Sequence, residues 1–206
     1  GPNGGLQAVG YSLDVLRERR AEMAVAFAAD ELYAQQMAGY GKIGNLYSGE
    51  EEADFRLRFG DPFKTVYGEG ACALVLEARA ERRGAQTYGT VLSFASYEEP
   101  GEFADANLKG EGLGIAVEQS LSRAGLGAGE IDLIVWSPRG DAQDEKVLRL
   151  RRGIFPRAGI VTNVFNTGYV ESVSAISALA EVLYCLKNGI ALWRQRTGLA
   201  EIEGAP

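Results

Sequence analysis

Apolar positions along this chain alternate between two periods. Leu6, Val9, Leu13 and Leu16 recur every three or four residues, which predicts a helix over 6–20 with one apolar face. The small residues Ala8, Gly10 and Ser12 within it predict close packing against a neighbour. The basic Arg17-Glu18-Arg19-Arg20 is expected in its last turn, where cations suit the helix dipole. MAVAFAA at 23–29 is a continuous apolar run and predicts a strand buried on both faces. Residues 34–64, with Gly39, Gly41, Gly44 and the acidic Glu50-Glu51-Glu52, read as a loop-rich excursion with one short helix.

The second half continues the alternation. CALVLE (72–77) and GTVLSFAS (89–96) predict strands joined by a basic stretch, 79–83. Residues 110–124 predict a helix with Leu113, Val117 and Leu121 on one face and Gly125 as its closing glycine. A buried strand (131–136), a charged helix (144–152) and a strand (159–165) follow. The longest helix (170–188) is expected to end at Gly189, before a final strand (190–194). Interleaved helices and strands predict an α/β layered fold, and no linker divides the 206 residues into separate domains.

Charge narrows the function classes. Lys and Arg number 21 against 28 Asp and Glu, a net −7, so a nucleic-acid role that lives on phosphate neutralisation is not expected. No apolar run reaches the length of a bilayer span, and the chain opens with neither the basic nor the apolar part of a signal peptide; two distant cysteines with no disulfide framework suit a reducing cytoplasm, where the protein is expected. Cys72 and Cys185 lie far apart in apolar surroundings and read as buried structural thiols. The acidic run reads as a solvated loop rather than a metal site. Gly68-Glu69-Gly70 leads into a strand instead of opening a helix, which argues against a dinucleotide loop. No metal or cofactor is expected. The chain contains no histidine, so it supplies no imidazole for a Ser-His, Cys-His or metal mechanism.

The segment Gly68-Glu69-Gly70-Ala71-Cys72-Ala73-Leu74-Val75-Leu76-Glu77 resembles the GEGAGxLVLE segment of β-ketoacyl synthases, the condensing enzymes of fatty-acid and polyketide synthesis. Asp61-Pro62-Phe63 upstream is similar to the family's RPFD-type element. Ala124-Gly125-Leu126, the IDLIVW run, the helix around DEKVLRLR and a strand ending in Asn166-Thr167-Gly168 follow in the family's order. Leu6-Gln7-Ala8-Val9-Gly10-Tyr11 resembles the helix after the family's nucleophilic cysteine. AVAFAA resembles its AVAGGAE strand, which in that fold pairs across the dimer two-fold axis. The resemblance implies a thiolase-like fold of mixed five-stranded sheets and buried helices, incomplete relative to the family. Residues 1–77 would correspond to the end of its N-terminal half and 85–206 to its C-terminal half.

This sequence departs from the family at the residues that do the chemistry. Pro2-Asn3-Gly4-Gly5 stands where the nucleophilic cysteine precedes the first helix. Ser137-Pro138-Arg139 stands where the family carries the histidine of its HGT motif, and Thr167-Gly168-Tyr169 replaces its TGH motif. The family's GFGG turn is not found. Condensation needs a thiolate to carry the acyl chain and imidazoles to stabilise developing charge. No catalytic residue is therefore assigned. The resemblance implies a chain-length-factor-like, non-catalytic subunit, in a heterodimer with a catalytic ketosynthase and in transient contact with an acyl carrier protein. Phe27, Tyr40, Ile43, Leu46 and Tyr169 are the candidates for the tunnel or interface, and Arg17, Arg19 and Arg20 form either a plain helix-end surface or a carrier-protein docking patch. Two alternatives stay open: an active condensing enzyme whose catalytic loops lie outside this sequence, and a small-molecule or acyl-carrier binding module without a synthase partner.

Overall fold

A computed structural model describes residues 3–44, 46–47, 65–78, 84, 86–98, 111–139, 144, 153–190 and 200–201. Its elements run α1 (Gly4–Arg17), β1 (Met23–Asp30), α2 (Ala34–Lys42), β2 (Gly70–Glu77), α3 (Glu111–Ala124), β3 (Leu133–Val135), β4 (Gly159–Thr162), the single turn α4 (Val164–Thr167), α5 (Glu171–Lys187) and β5 (Ala200–Glu201). Strands β1 and β2 pair antiparallel, from Met23 opposite Glu77 to Asp30 opposite Gly70. In the other sheet, β3 and β4 run parallel and β5 joins β4 antiparallel.

Helix α1 buries Val9, Leu13 and Leu16, the face its spacing predicts. It packs directly on α5: a Cβ on Gly5 would collide with the Ser172 carbonyl oxygen, so the two backbones touch there. The long helix reaches both sheets. Val173 and Ile176 cluster with Val9 of α1 and Ala26 and Ala28 of β1, while Val182 and Cys185 cluster with Val161 of β4 and with Leu133 and Val135 of β3. The result is a helical layer with a sheet on either side, and burial of these side chains supplies the main stabilising term.

Several expectations need correction. Strand β1 is covered on one face only: its residues alternate, with Ala26 and Ala28 buried against the helices and Val25 and Phe27 on the open side. The pleat sends successive side chains to opposite faces, so a helical layer on one side leaves the other uncovered. Among the described residues, 89–96 join no ladder. Here the chain is tied by side chains instead: Ser93 Oγ bonds the Ser120 carbonyl at 2.8 Å, and Arg123 bonds the Phe94 carbonyl at 2.7 Å. Helix α1 ends at Arg17, so Glu18-Arg19-Arg20 lies beyond its last turn. There Arg19 adopts a left-handed φ of 57°. Strand β4 stops at Thr162 rather than 165, because Asn163 turns the backbone and its carbonyl accepts the Asn166 and Thr167 amides. Residues 133–135 are half-buried rather than fully buried.

Other expectations hold. Gly125 and Gly189, with φ of 69° and 64°, close α3 and α5. All but Asp144 of the helix expected over 144–152 and most of the strand expected over 190–194 lie outside the described residues, as do the basic stretch 79–83 and the acidic run at 50–52. Among the described residues no helix is long and apolar enough to cross a membrane.

Candidate functional site

Three chain segments meet at one end of α5. The first is α2, which carries Gln36, Met37 and Tyr40. The second is residues 65–69, with Tyr67 and Gly68. The third runs from Asn163 through α4 to Tyr169. Gly168 makes the last turn possible, with φ 71° and ψ 175°, a conformation open in practice to glycine alone. The turn lays Tyr169 beside Tyr67 in a parallel bridge, with Tyr169 N–H donating to the Val66 carbonyl at 2.7 Å and Gly68 N–H donating to the Tyr169 carbonyl at 3.0 Å. Gly68 must also be glycine, since a Cβ there would strike the Thr167 carbonyl oxygen.

Aromatic packing builds on this backbone. The Tyr40 ring stacks on Tyr67 with centroids 4.1 Å apart and planes 2° from parallel. Tyr67 meets Tyr169 edge-on at 6.1 Å and 70°. Such pairs contribute about 0.5–1.5 kcal/mol each beyond their area. Val164, Leu32, Met37 and Leu46 complete the cluster. Polar groups surround it. The Arg139 guanidinium lies 6.0 Å from the centre of the Tyr169 ring. Arg139 N–H donates to Asp144 Oδ1 at 3.3 Å, and Asp144 is itself buried. Gln36 Nε2 donates to the Tyr40 hydroxyl at 2.9 Å, and that hydroxyl donates to Glu171 Oε1 in the first turn of α5. Among the described residues the Ser137 hydroxyl is buried without a hydrogen-bond partner.

Burial governs the protonation of these groups. It pushes the Tyr169 and Tyr67 phenols up, and it raises Tyr40, with help from Glu171, to about 12. All three phenols therefore stay neutral near neutrality, and Tyr40 donates its proton to Glu171. Burial raises both thiols as well: Cys72 on β2 and Cys185 on α5 are protonated, and neither precedes α1. The site offers neutral hydroxyls, aromatic walls, a guanidinium and carboxylates, with no thiolate and no imidazole.

The structure brings Tyr40, Leu46 and Tyr169 of the tunnel candidates together. It does not bring Phe27 or Ile43 to them. Phe27 is 60% exposed on the open face of β1, and Ile43 is 65% exposed past the end of α2. Pro138 is fully buried behind Ser137. Sequence reasoning passed over Tyr67 and Glu171 altogether and gave Arg139 no role. Each adjoins a matched motif, so the flanks of the GEGA, HGT-like and TGH-like segments were the available signal.

No family model matches the chain. The putative polyketide beta-ketoacyl synthase 1 of Streptomyces halstedii is 27% identical over 197 residues, covering 87% of this chain and 47% of that protein. Its namesake from Streptomyces cyaneus is 27% identical over 151 residues, covering 71% and 36%. The tetracenomycin polyketide synthase ketoacyl synthase alpha subunit of Streptomyces glaucescens is 26% identical over 151 residues, covering 71% and 35%. The chain thus spans less than half the length of these curated relatives. Among solved structures, the ishigamide ketosynthase/chain length factor superposes with a TM-score of 0.73 at 21% identity, over 91% of this chain and 46% of its own. A type II polyketide synthase acyl-carrier protein in complex with its ketosynthase gives 0.77 at 22%, over 89% and 47%. The fold is that of the ketosynthases, the thiolase-like architecture.

Proposed function

We propose that this chain serves polyketide synthesis as the non-catalytic partner of a ketosynthase, stabilising that subunit and bounding the cavity into which its acyl chain grows. One observation carries the reading: Tyr169, 4% exposed, stands where the resembled family carries its second histidine. A buried phenol whose pKa is driven up donates one hydrogen bond, but it cannot take up a proton as imidazole does. Ser137, near the first histidine position, adds a hydroxyl with the same limitation, and Cys72 on β2 and Cys185 on α5 both lie away from the start of α1, where the resembled family carries its nucleophile. The aromatic wall of Tyr40, Tyr67 and Tyr169 suits the lining of an apolar cavity.

Co-expression with a ketosynthase from the same source tests this. Native mass spectrometry should find a one-to-one heterodimer, and malonyl-thioester elongation should require both subunits. Elongation by this chain alone would reject the proposal. A second reading draws on the relatives' names, which are those of synthases and include an alpha subunit. It takes the chain as part of an active condensing enzyme whose nucleophile lies outside these residues. That reading requires an intact mass well above 22.1 kDa and turnover abolished by a Cys→Ala change outside this sequence.

A further inference from the structure

Helix α2 differs from its neighbours in how it is held. None of its nine residues is buried, and no side chain caps its first turn. It contains Gly39 and Gly41, each of which weakens a helix several-fold relative to alanine. Among the described residues no atom lies within 4 Å of a Cβ built on Gly39, so packing does not demand the glycine there. Gly44 follows with φ 76° and, among the described residues, open space around it. The main tie between this helix and the body of the protein is Tyr40, stacked on Tyr67 and hydrogen-bonded to Glu171. Under that ring lies the Tyr67 ring, and among the described residues the Gln36 Oε1 beside Tyr40 is buried without a hydrogen-bond partner.

A helix that is weak by sequence and shallow in packing, held by Tyr40 with Met37 against the same cluster, opens at far lower free energy than the layers beneath it. We propose that α2 is a lid over the Tyr67–Tyr169 wall, latched by Tyr40 and hinged in the glycines 39, 41 and 44. Opening exposes the Tyr67 ring and hydroxyl to whatever occupies that side. The lid operates in the chain itself and does not depend on the role proposed above.

Amide hydrogen exchange on the whole protein, with hydroxyl-radical labelling of Tyr67, tests it. Amides of 34–44 should exchange at least tenfold faster than those of α5. Tyr40→Phe keeps the stacked ring but removes the bond to Glu171, and should speed α2 exchange about tenfold while raising Tyr67 labelling. Gly39→Ala with Gly41→Ala should slow α2 exchange by about fivefold per substitution and lower that labelling. Exchange in α2 as slow as in α5 would overturn the lid. So would Tyr67 labelling that is unchanged in both variants.

Discussion

Gly68 and Gly168 meet backbone to backbone: a Cβ on Gly168 would lie 3.0 Å from the Gly68 nitrogen, and one on Gly68 would overlap the Thr167 carbonyl oxygen. This contact holds the GEGA segment against the turn that presents Tyr169. The neighbouring Gly70 has no such constraint, with open space around its Cβ direction among the described residues. Gly68→Ala should therefore lower stability by about 2–3 kcal/mol, and Gly70→Ala should leave it within about 0.5 kcal/mol. Urea midpoints measure both. Equal effects at the two positions would show that the close approach is not what constrains the motif.

Arg19 sits where a helix-closing glycine belongs. The Arg20 amide bonds the Val15 carbonyl at 3.0 Å and the Arg19 amide bonds the Leu16 carbonyl at 3.1 Å, the paired bonds of a Schellman closure with Arg19 in the left-handed position. A side chain there strains the backbone by about 1 kcal/mol. Arg19→Gly should raise the unfolding free energy by about 0.5–1 kcal/mol, read as a shift in thermal midpoint. A loss of stability would mean that the Arg19 side chain contributes more than the turn gains.

These positions mark how far the sequence could be read. Periodicity located α1, α3 and α5, and the glycines at 125 and 189 marked two helix ends, because each signal is local. Arg19 carried no such mark, so the end of α1 was placed three residues late. The GTVLSFAS run looked like a strand because its apolar pattern is strand-like, but a strand needs a ladder partner, and that is a tertiary fact. The two layers beside α5 followed from the alternation of elements. The meeting of Tyr40, Tyr67 and Tyr169 did not: it depends on contacts between residues up to about a hundred positions apart in sequence, which no local pattern encodes.

Helix α5 is capped from another element. Asp30, at the end of β1, accepts the Ser172 amide at 2.7 Å and the Ser172 hydroxyl at 2.6 Å. The α5 residue before Ser172 is Glu171, so this carboxylate serves an amide of the first turn and also faces the positive end of the helix dipole. Asp30→Ala should lower stability by about 1–2 kcal/mol and Asp30→Asn by less. Chemical denaturation with helicity followed by circular dichroism distinguishes them. If alanine is tolerated, another group caps the helix.

Tyr40 gives the protein a signature at high pH. Burial and the Glu171 carboxylate raise its phenol from an ordinary value of 10 to about 12. The native state then holds this proton more tightly than the unfolded chain. The resulting stabilisation is fully present below pH 10 and is lost as pH rises from 10 to 12. Tyr40→Phe should flatten the stability–pH curve in that window and remove one late-titrating phenol from the tyrosinate absorbance. A curve with unchanged slope would place Tyr40 in contact with solvent instead.

Tyr169 offers the sharpest division between wall and catalyst. A phenol acting as an acid in the reaction contributes about 10²–10⁴-fold to rate, so its loss is unmistakable. A phenol acting as part of a cavity wall contributes shape, and phenylalanine reproduces that shape. In the proposed complex with a ketosynthase, Tyr169→Phe should therefore leave turnover within about twofold of wild type and preserve the heterodimer. The edge contact with Tyr67 and the Arg139 guanidinium over the ring both survive the change, because neither uses the hydroxyl. Tyr169→Ala is the less informative variant, since emptying a site this buried costs about 3–5 kcal/mol of stability on its own. A hundredfold fall in turnover for Tyr169→Phe, with the heterodimer intact, would assign the hydroxyl to the chemistry and remove the ground for calling this subunit non-catalytic.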